Sequence, residues 1–328
     1  MSIIETLRAQ VSLEVKENEL LAKHTTLKIG GPAEYFFVAK NGDDVARAAR
    51  AAKELGIPLF VFGGGSNMLV SDDGVKGLVV KMANQEIVFD GTTVVVGAGA
   101  PTGLVAMRAA EAGLTGFAWA VGVPGTIGGA VRGNAGCYGG ETKDVVVSVR
   151  VFDRGEERVM TNAECGFAYR DSIFKREPGR TIISATLALA ASPDPETAKA
   201  KLREILLDRK QKQPVEYPTA GCMFTNWLPT SAQDVESLRH TLDLNKDETI
   251  PRTPQGNIPA GWIIEHAQLK GMRVGHVHVS EKHGNFFLND GRATADDVVA
   301  LTAAIKTRVR NMTNGVVQLR EEVEYVGF

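Results

Sequence analysis

The sequence has little of what several large classes of protein require. Its three cysteines (Cys137, Cys165 and Cys222) are scattered and odd in number, which argues against a disulfide framework and against a metal site such as zinc. No apolar run approaches the ~18–20 residues that a membrane span needs. Residues 1–20 contain neither the apolar region nor the small-residue cleavage site of a signal peptide. These absences predict a cytoplasmic protein that does not enter a membrane.

Charge is also nearly balanced, with a formal net charge of -2 at pH 7. This balance gives no electrostatic case for binding nucleic acid or an acidic membrane surface. The hydrophobic content of 44% and the charged content of 23% are ordinary for a globular protein. A length of 328 residues exceeds what one small core needs, so we expect two domains, in a monomer.

Glycine, in contrast, is abundant, and its 35 residues are unevenly spread, with several clusters. The clusters fall at residues 30–31, 63–65, 97–103 and 122–140. Clustered glycine indicates backbone in unusual conformations, or backbone that another group approaches closely. The first half of the chain is therefore where binding loops are expected.

Hydrophobic periodicity and a proline-containing linker after residue 192 predict how the chain is organised. The predicted segments are an N-terminal helical segment (1–20), a β-rich domain (21–192) and an α/β domain (193–328). Helices are predicted at 42–55, 101–113, 195–212 and 293–312, and a final strand at 316–327. An extra segment near 228–257, rich in proline and charge, is expected to be either a lid or a surface excursion.

Two familiar nucleotide-binding motifs do not fit the glycine clusters. No G-x-x-x-x-G-K-[ST] phosphate loop occurs in the sequence. A strand at 94–96 followed by Gly97, Gly99 and Gly103 imitates a Rossmann turn, but that motif needs a second strand with an acidic residue about 20 positions later. The corresponding stretch, 117–125, contains neither. A Rossmann site is therefore not expected.

The glycine loops are also consistent with a flavin-binding site of another kind. The competing interpretation of each loop is that it is only a tight turn. Successive backbone N–H groups in a glycine loop form a concave surface suited to pyrophosphate. Three such loops occur within a short stretch, which favours binding over turns alone. Their residues are Gly63, Gly64, Gly65, Ser66 and Asn67; Gly122, Val123, Pro124, Gly125, Thr126, Gly128, Gly129 and Ala130; and Asn134, Ala135 and Gly136.

These loops, in this order, resemble the FAD-binding domain of the vanillyl-alcohol-oxidase superfamily, and more narrowly the UDP-N-acetylenolpyruvoylglucosamine reductase family. Further motifs carry the resemblance into both predicted domains and over nearly the whole chain. They are HTTLKIGGPA (24–33), YRDSIF (169–174), AGCMF (220–224), VSEKHGNF (279–286) and LREEV (319–323).

The resemblance implies an α+β fold, in which a two-subdomain FAD-binding domain of this type precedes a smaller α/β substrate-binding domain. It also implies noncovalent FAD, NADPH as reductant and UDP-N-acetylglucosamine enolpyruvate as substrate, in a ping-pong cycle. His24, at the head of the first motif, is not expected to carry the flavin covalently. Two rivals stay open: an FAD oxidase of the same superfamily, and a flavin-binding protein without catalysis.

Three residues match the family's catalytic positions. Arg170 matches an arginine whose guanidinium suits a planar carboxylate, because it donates two parallel hydrogen bonds. Glu322 matches a glutamate placed near the enolate, where a carboxyl group helps only if it is protonated or donates through water. Cys222 stands where the family most often has its proton-donating serine. A thiol is the stronger acid, and Cys222 is therefore expected to deliver the proton.

Four further residues are expected on the substrate side. Lys212 and Asn226 match positions that contact the diphosphate and the sugar in the family. Tyr169 precedes the catalytic arginine, and Glu265 lies in a predicted helix. The residues beside Asn226 differ from the family pattern, because a threonine stands where the family has a lysine. Whether this chain keeps the phosphate contact of that lysine is left open.

Overall fold

The computed structural model describes residues 2–192 and 194–328, which form two compact units. The first unit contains the chain up to Leu20, then Pro32–Gly65 and Gly74–Gln211. The second contains Leu21–Gly31, Ser66–Asp73 and Lys212–Phe328. Each unit therefore draws on separate stretches of the chain.

This division differs from the predicted boundary at residue 193. The helix Pro195–Lys212 belongs to the first unit up to Gln211, because Ala198, Leu202 and Ile205 are buried in the core of that unit. The segment 66–73 belongs to the second unit, since its strand pairs within that unit.

Two sheets organise the first unit. The strands of the four-stranded sheet, in spatial order, are Lys16–Leu20, Pro32–Ala39, Val75–Met82 and Leu59–Phe62. The strands of the five-stranded sheet are Glu156–Thr161, Val146–Asp153, Arg180–Ala188, Thr93–Gly97 and Ile87–Asp90. All neighbours in the five-stranded sheet are antiparallel, whereas the last three strands of the other sheet are parallel.

Helices cover these sheets and close the core. The helices of the first unit are Ile3–Gln10, Gly42–Glu54, Thr102–Glu111, Ile127–Arg132, Ile173–Arg176 and Pro195–Lys212. Asn41 starts the second of them by accepting a hydrogen bond from the Asp44 N–H at 2.9 Å, which satisfies one exposed donor of the first turn. Alanine and valine fill the interface between helices and sheet, and small side chains allow that close approach.

Short elements complete the first unit. Two-residue strands pair Leu114–Thr115 with Ala190–Ala191 and Gly136–Cys137 with Gly140–Glu141. Three-residue to five-residue 3-10 helices occupy Ala118–Gly122, Thr142–Asp144 and Ala163–Cys165. The stretch that a Rossmann site would need as a second parallel strand is the 3-10 helix Ala118–Gly122.

The second unit packs helices against short strands. Its helices are Ala232–Thr241, Ala260–His266 and Ala295–Met312, with a 3-10 helix at Leu21–His24. Its strands are Arg273–Val274, Val277–Val279 and Phe287–Asn289, and Met68–Val70 paired in parallel with Glu324–Val326. Phe224 and Phe287 meet edge to face in its core, with ring centroids 6.0 Å apart.

Two predicted features of the second unit take a different form. The final strand was expected at 316–327, but only Glu324–Val326 is a strand, because residues before it meet the chain by single bridges such as Phe224 with Glu321. The extra segment 228–257 contains the helix Ala232–Thr241, and the antiparallel bridge of Trp227 with Ile258 joins the two ends of the segment. Leu238 is buried in the core of the unit, so the helix of this segment is attached to that core.

Among the described residues, no helix combines the length and the apolar character needed to cross a bilayer.

Candidate functional site

Two glycine loops of the first unit meet backbone to backbone. A Cβ atom on Gly63 would lie 2.1 Å from Thr126 Oγ1, and one on Gly64 would lie 2.8 Å from Gly125 Cα. Both distances are far below van der Waals contact, so only glycine fits at either position. Gly65 follows with a φ of +61°, in the left-handed region that favours glycine. The loop 63–65 is therefore shaped by its contact with the loop 122–126.

The loop 122–126 is fixed by hydrogen bonds from the start of the helix Thr102–Glu111. The Thr102 N–H donates to the Gly125 carbonyl at 3.2 Å, and the Thr102 hydroxyl donates to the Val123 carbonyl. Pro124, between these anchored residues, is exposed. The loop is thus held at Val123 and Gly125, while Pro124 is accessible.

The short helix that follows packs through its own small residues. A Cβ on Gly128 would lie 2.9 Å from Ala98 Cβ, whereas one on Gly129 would meet nothing closer than 3.8 Å. Ala130 is buried, and its carbonyl accepts the Ala135 N–H at 2.9 Å. Gly128 and Ala130 are therefore explained by packing, and Gly129 keeps an open backbone surface.

The Thr126 hydroxyl fits the expectation of a bound phosphate-containing cofactor. Its oxygen is buried and makes no hydrogen bond to any other described residue. A buried polar atom without a partner costs about 1–3 kcal/mol, so native proteins rarely leave one unsatisfied. Thr126 lies against Gly63, where the two glycine loops meet. An acceptor at this point, such as a pyrophosphate oxygen, would satisfy the hydroxyl.

We predict that Gly63→Ala lowers the flavin content of the purified protein several-fold. The added methyl group would overlap Thr126 Oγ1 and force the two loops apart. The measurement is the ratio of flavin absorbance to protein absorbance after gel filtration. Gly133→Ala is the matched control, because its Cβ would meet nothing closer than 3.5 Å and should leave this ratio unchanged. Equal flavin content in the two variants would contradict the prediction.

The third loop, 134–136, is tied inward. The Ala135 carbonyl accepts both the Thr142 N–H and the Thr142 hydroxyl, each at 2.9 Å. The Asn134 side chain is fully buried and bonds to Glu141, Lys143 and Ala168 within the unit. The Asn134 amide, which was predicted to contact the cofactor, thus points into the protein in this structure.

Arg170 lies in a tight turn beside this loop. Ala168 and Asp171 exchange backbone hydrogen bonds at 2.9 and 3.2 Å, and Arg170 between them has a φ of +56°. A non-glycine residue in this region is unusual and is often associated with a functional constraint. The half-buried guanidinium donates to the carbonyl of Gly136 at 2.7 Å. The Tyr169 ring lies beneath it, with its centroid 5.3 Å from Arg170 Cζ, in a cation–π contact.

Sequence reasoning missed a second guanidinium near this turn. The Arg209 side chain crosses Gly122, where a Cβ would lie 2.0 Å from Arg209 Cδ, and its Nη1 lies 3.8 Å from Cys137 Sγ. Burial raises the pKa of the Cys137 thiol, and the positive charges of Arg209 and Arg170 oppose that rise. The basic run 209–212 was the available signal, but only Lys212 was singled out from it.

A tyrosine on the same loop fixes the helix that carries Arg209. The Tyr138 hydroxyl donates to the Asp208 carboxylate at 2.7 Å. Burial, together with this hydrogen bond, raises the pKa of Tyr138 to about 12. The phenol therefore stays protonated at neutral pH and keeps its donor role.

In the second unit, Cys222 and Glu322 lie on neighbouring segments. Met223 links them: its N–H donates to the Asn285 carbonyl at 2.9 Å, and its carbonyl accepts the Glu322 N–H at 2.8 Å. The Asn285 amide also bonds to Phe224 in both directions, at 2.7 and 2.9 Å. Three chain segments are thereby locked together, and two of them carry the half-buried Cys222 and Glu322. The VSEKHGNF motif thus has a structural role in holding the cysteine segment.

Residues 66–73, which follow the first glycine loop, belong to the second unit. The side-chain amide of Asn67 donates to the Glu322 backbone carbonyl at 3.0 Å. The backbone carbonyl of Asn67 accepts the Glu324 N–H at 3.1 Å. Ser66 is half-buried next to it. Asn67, predicted as a cofactor residue, therefore fixes the backbone of the predicted catalytic glutamate.

The remaining predicted substrate residues of the second unit are spread over its surface. Lys212 is exposed. The Asn226 side-chain oxygen accepts the Ala260 N–H at 3.2 Å and so caps the helix Ala260–His266. Glu265 is exposed and forms an ion pair of 2.6 Å with Lys270. Glu265 would have to leave that lysine in order to bind a substrate.

Comparisons with known proteins show which family the chain belongs to. A model described as "FAD binding domain" matches residues 33–162, and one described as "UDP-N-acetylenolpyruvoylglucosamine reductase, C-terminal domain" matches residues 213–326. UDP-N-acetylenolpyruvoylglucosamine reductase from Lachnoclostridium phytofermentans is 38% identical over 99% of this chain and 97% of the relative. The corresponding protein from Bacillus velezensis is 34% identical over 99% and 98%.

The fold agrees with these matches. The crystal structure of the reductase from Thermus caldophilus has a TM-score of 0.75 at 33% identity, covering 94% of this chain and 98% of that one. The predicted order of an FAD-binding domain before a smaller C-terminal domain is confirmed. On full-length similarity in sequence and in fold, the chain belongs to the UDP-N-acetylenolpyruvoylglucosamine reductase family.

Proposed function

We propose that the chain uses NADPH and noncovalently bound FAD to reduce the enolpyruvyl group of UDP-N-acetylglucosamine enolpyruvate, which yields UDP-N-acetylmuramate. Family membership makes the chain a UDP-N-acetylmuramate dehydrogenase, an oxidoreductase of peptidoglycan precursor synthesis. The observation that carries the finer proposal is the ordered match of both domain models within relatives of equal length. We further propose that the enzyme acts in the cytoplasm as a monomer.

Residues of the glycine loops would hold the cofactor. The backbone N–H groups of the glycine-rich loops 63–65 and 122–126 would suit its pyrophosphate. The buried Thr126 hydroxyl offers a donor that has no partner within the described chain. When bound, the flavin supplies hydride transfer, and the protein supplies orientation and electrostatics. Gly129, with space above its backbone, belongs to the same surface.

Arg170 is proposed to bind the carboxylate of the enolpyruvyl group. Negative charge grows there once the vinyl carbon has been reduced, and a fixed cation stabilises that charge more than it stabilises the ground state. The turn 168–171 and the Gly136 carbonyl fix the guanidinium in advance. Because the donor does not need to reorganise during the reaction, its electrostatic effect is large.

Cys222 is proposed to donate the proton that completes the reduction. The S–H bond breaks, the proton goes to the substrate carbon next to the carboxylate, and a thiolate remains until solvent reprotonates it. Glu322, on the adjacent segment, is proposed to act at the same enolate, through its protonated form or through a water molecule. The backbone hydrogen bonds of Met223 and Asn285 keep the Cys222 segment in place.

Substrate recognition is proposed to rest on several polar side chains. Lys212 offers a mobile charge to the diphosphate, and Asn226 an amide to the sugar. Tyr169 stacks against Arg170 and would limit the orientations of the carboxylate next to it. Glu265 is also proposed to contact the substrate, in competition with its ion pair to Lys270.

An anaerobic experiment tests the proposed function. The purified flavoprotein is reduced with NADPH, UDP-N-acetylglucosamine enolpyruvate is then added, and flavin absorbance is followed. We expect a rapid return of the oxidised spectrum, with formation of UDP-N-acetylmuramate. A flavin that stays reduced until oxygen is admitted would favour an oxidase of the same fold. Absence of bound flavin would contradict the cofactor assignment.

A further inference from the structure

We propose that Asn134 is a positioning residue for Arg170 rather than a ligand of the cofactor. The inference rests on the proposed function, because it assumes that Arg170 acts on the substrate. Asn134 lies 36 positions before Arg170, and the two residues share one buried corner of the first unit.

The Asn134 amide is fully used within the protein. Its nitrogen donates to Glu141 Oε2 at 3.0 Å and to the Ala168 carbonyl at 2.9 Å, and its oxygen accepts the Lys143 N–H at 3.0 Å. The residue has 0% exposure. Both amide protons and one acceptor position of the amide oxygen therefore serve the protein interior, and the buried side chain presents no surface to a cofactor.

Two of the contacts of Asn134 lead directly to Arg170. The Ala168 carbonyl, which the amide holds, belongs to the first residue of the tight turn in which Arg170 has a left-handed φ. The Asn134 backbone carbonyl in turn accepts Arg170 Nη1 at 3.5 Å, beside the shorter bond from Nη2 to Gly136. Asn134 thus holds both the backbone that carries the arginine and one end of its guanidinium.

The identity of the residue follows from these demands. Asn134 has a φ of +40°, a region in which asparagine is enriched among non-glycine residues. Aspartate tolerates similar backbone but offers no N–H, so it would set a carboxylate against the Ala168 carbonyl and the Glu141 carboxylate. Only an amide satisfies two acceptors and one donor at this position.

The substitution Asn134→Asp tests the proposal with the smallest change in shape. We expect reoxidation of the reduced flavin by the substrate to slow by about 100-fold, the cost of a misplaced catalytic group. Flavin content and the rate of flavin reduction by NADPH are expected to stay within about two-fold of the parent. Loss of bound flavin in this variant, with the substrate step of the remaining holoenzyme unchanged, would show that Asn134 serves the cofactor and would overturn the proposal.

A coupled pair of variants separates positioning from general stability. In an Arg170→Ala background, Asn134→Asp should cause no further slowing, because the arginine through which it acts is gone. Independent, multiplicative losses would contradict the proposal. Asn289→Ala is the matched control: Asn289 is also buried and forms three hydrogen bonds, but in the second unit, and its loss should lower stability without slowing the substrate step.

A partial restoration sharpens the test if Asn134→Asp folds poorly. Adding Glu141→Gln to that variant places an amide donor opposite the new carboxylate, which restores the contact between positions 134 and 141 but not the bond to Ala168. We expect this double variant to regain stability while its substrate step stays slow. Full recovery of the substrate step would show that the Ala168 contact is dispensable, and the proposal would fail. A parent protein that reduces no substrate at all would instead refute the proposed function.

Discussion

Replacement of Arg170 by alanine is expected to slow the reoxidation of reduced flavin by UDP-N-acetylglucosamine enolpyruvate by about 1,000-fold, at the upper end of the effect of one preorganised donor. The substrate carboxylate gains charge in the transition state, and the alanine variant offers no cation there. Reduction of the flavin by NADPH should be unaffected. Stopped-flow absorbance of each half-reaction, measured separately, makes the comparison.

Two companion variants of Arg170→Ala show what the guanidinium contributes. Arg170→Lys keeps one positive charge but loses the planar fork, so it should recover only a part of the lost rate. Arg154→Ala removes an exposed arginine that also has a left-handed φ, and it should behave as the parent. If Arg170→Ala slowed both half-reactions equally, the residue would serve the fold or the flavin, and its assignment to the substrate would be wrong.

Replacement of Cys222 by alanine is expected to lower turnover by about 1,000-fold, within the range of one general acid. The variant lacks the proton that we assign to the second step, and water must supply it. Cys222→Ser keeps a donor of similar size and should retain most of the activity. The measurement is steady-state oxidation of NADPH in the presence of the enolpyruvyl substrate.

Alkylation provides an independent test of the cysteine. Iodoacetamide should inactivate the parent but leave Cys222→Ser active, since the other two thiols are poor targets. Burial raises the pKa of Cys165 to about 11, and it also raises the pKa of Cys137, so both hold less of the reactive thiolate. Full activity of Cys222→Ala, or equal inactivation of the serine variant, would place the proton donor elsewhere.

The sequence located the glycine loops well, because glycine at a close backbone approach leaves a local mark. A Cβ is impossible at Gly63 and at Gly64, and the need for glycine is visible without knowledge of the partner loop. The sequence did not reveal what the loops would meet. Thr126 is ordinary as a sequence element, and only the fold shows that its hydroxyl is buried against Gly63.

Residues that act through distant partners were the least predictable. The bond from Asn134 to Ala168 spans 34 positions, and the contact from Arg209 to Cys137 spans 72. No local pattern encodes such pairs, so the internal bonds of Asn134 and the position of Arg209 could not be predicted from the sequence. The predicted strand at 316–327 failed for a related reason. Its apolar and polar residues are typical of a strand, but before residue 324 only Glu321 forms a bridge, to Phe224.

The parallel pairing of Met68–Val70 with Glu324–Val326 bears on how the chain can fold during synthesis. The earlier strand leaves the ribosome long before its partner is made, because most of the sequence lies between the two strands. Loop closure over so long a separation is slow, and an unpaired apolar strand edge favours aggregation in the meantime. The second unit can therefore be completed only after residues 324–326 have been made, and its assembly depends on protecting the early strand until then.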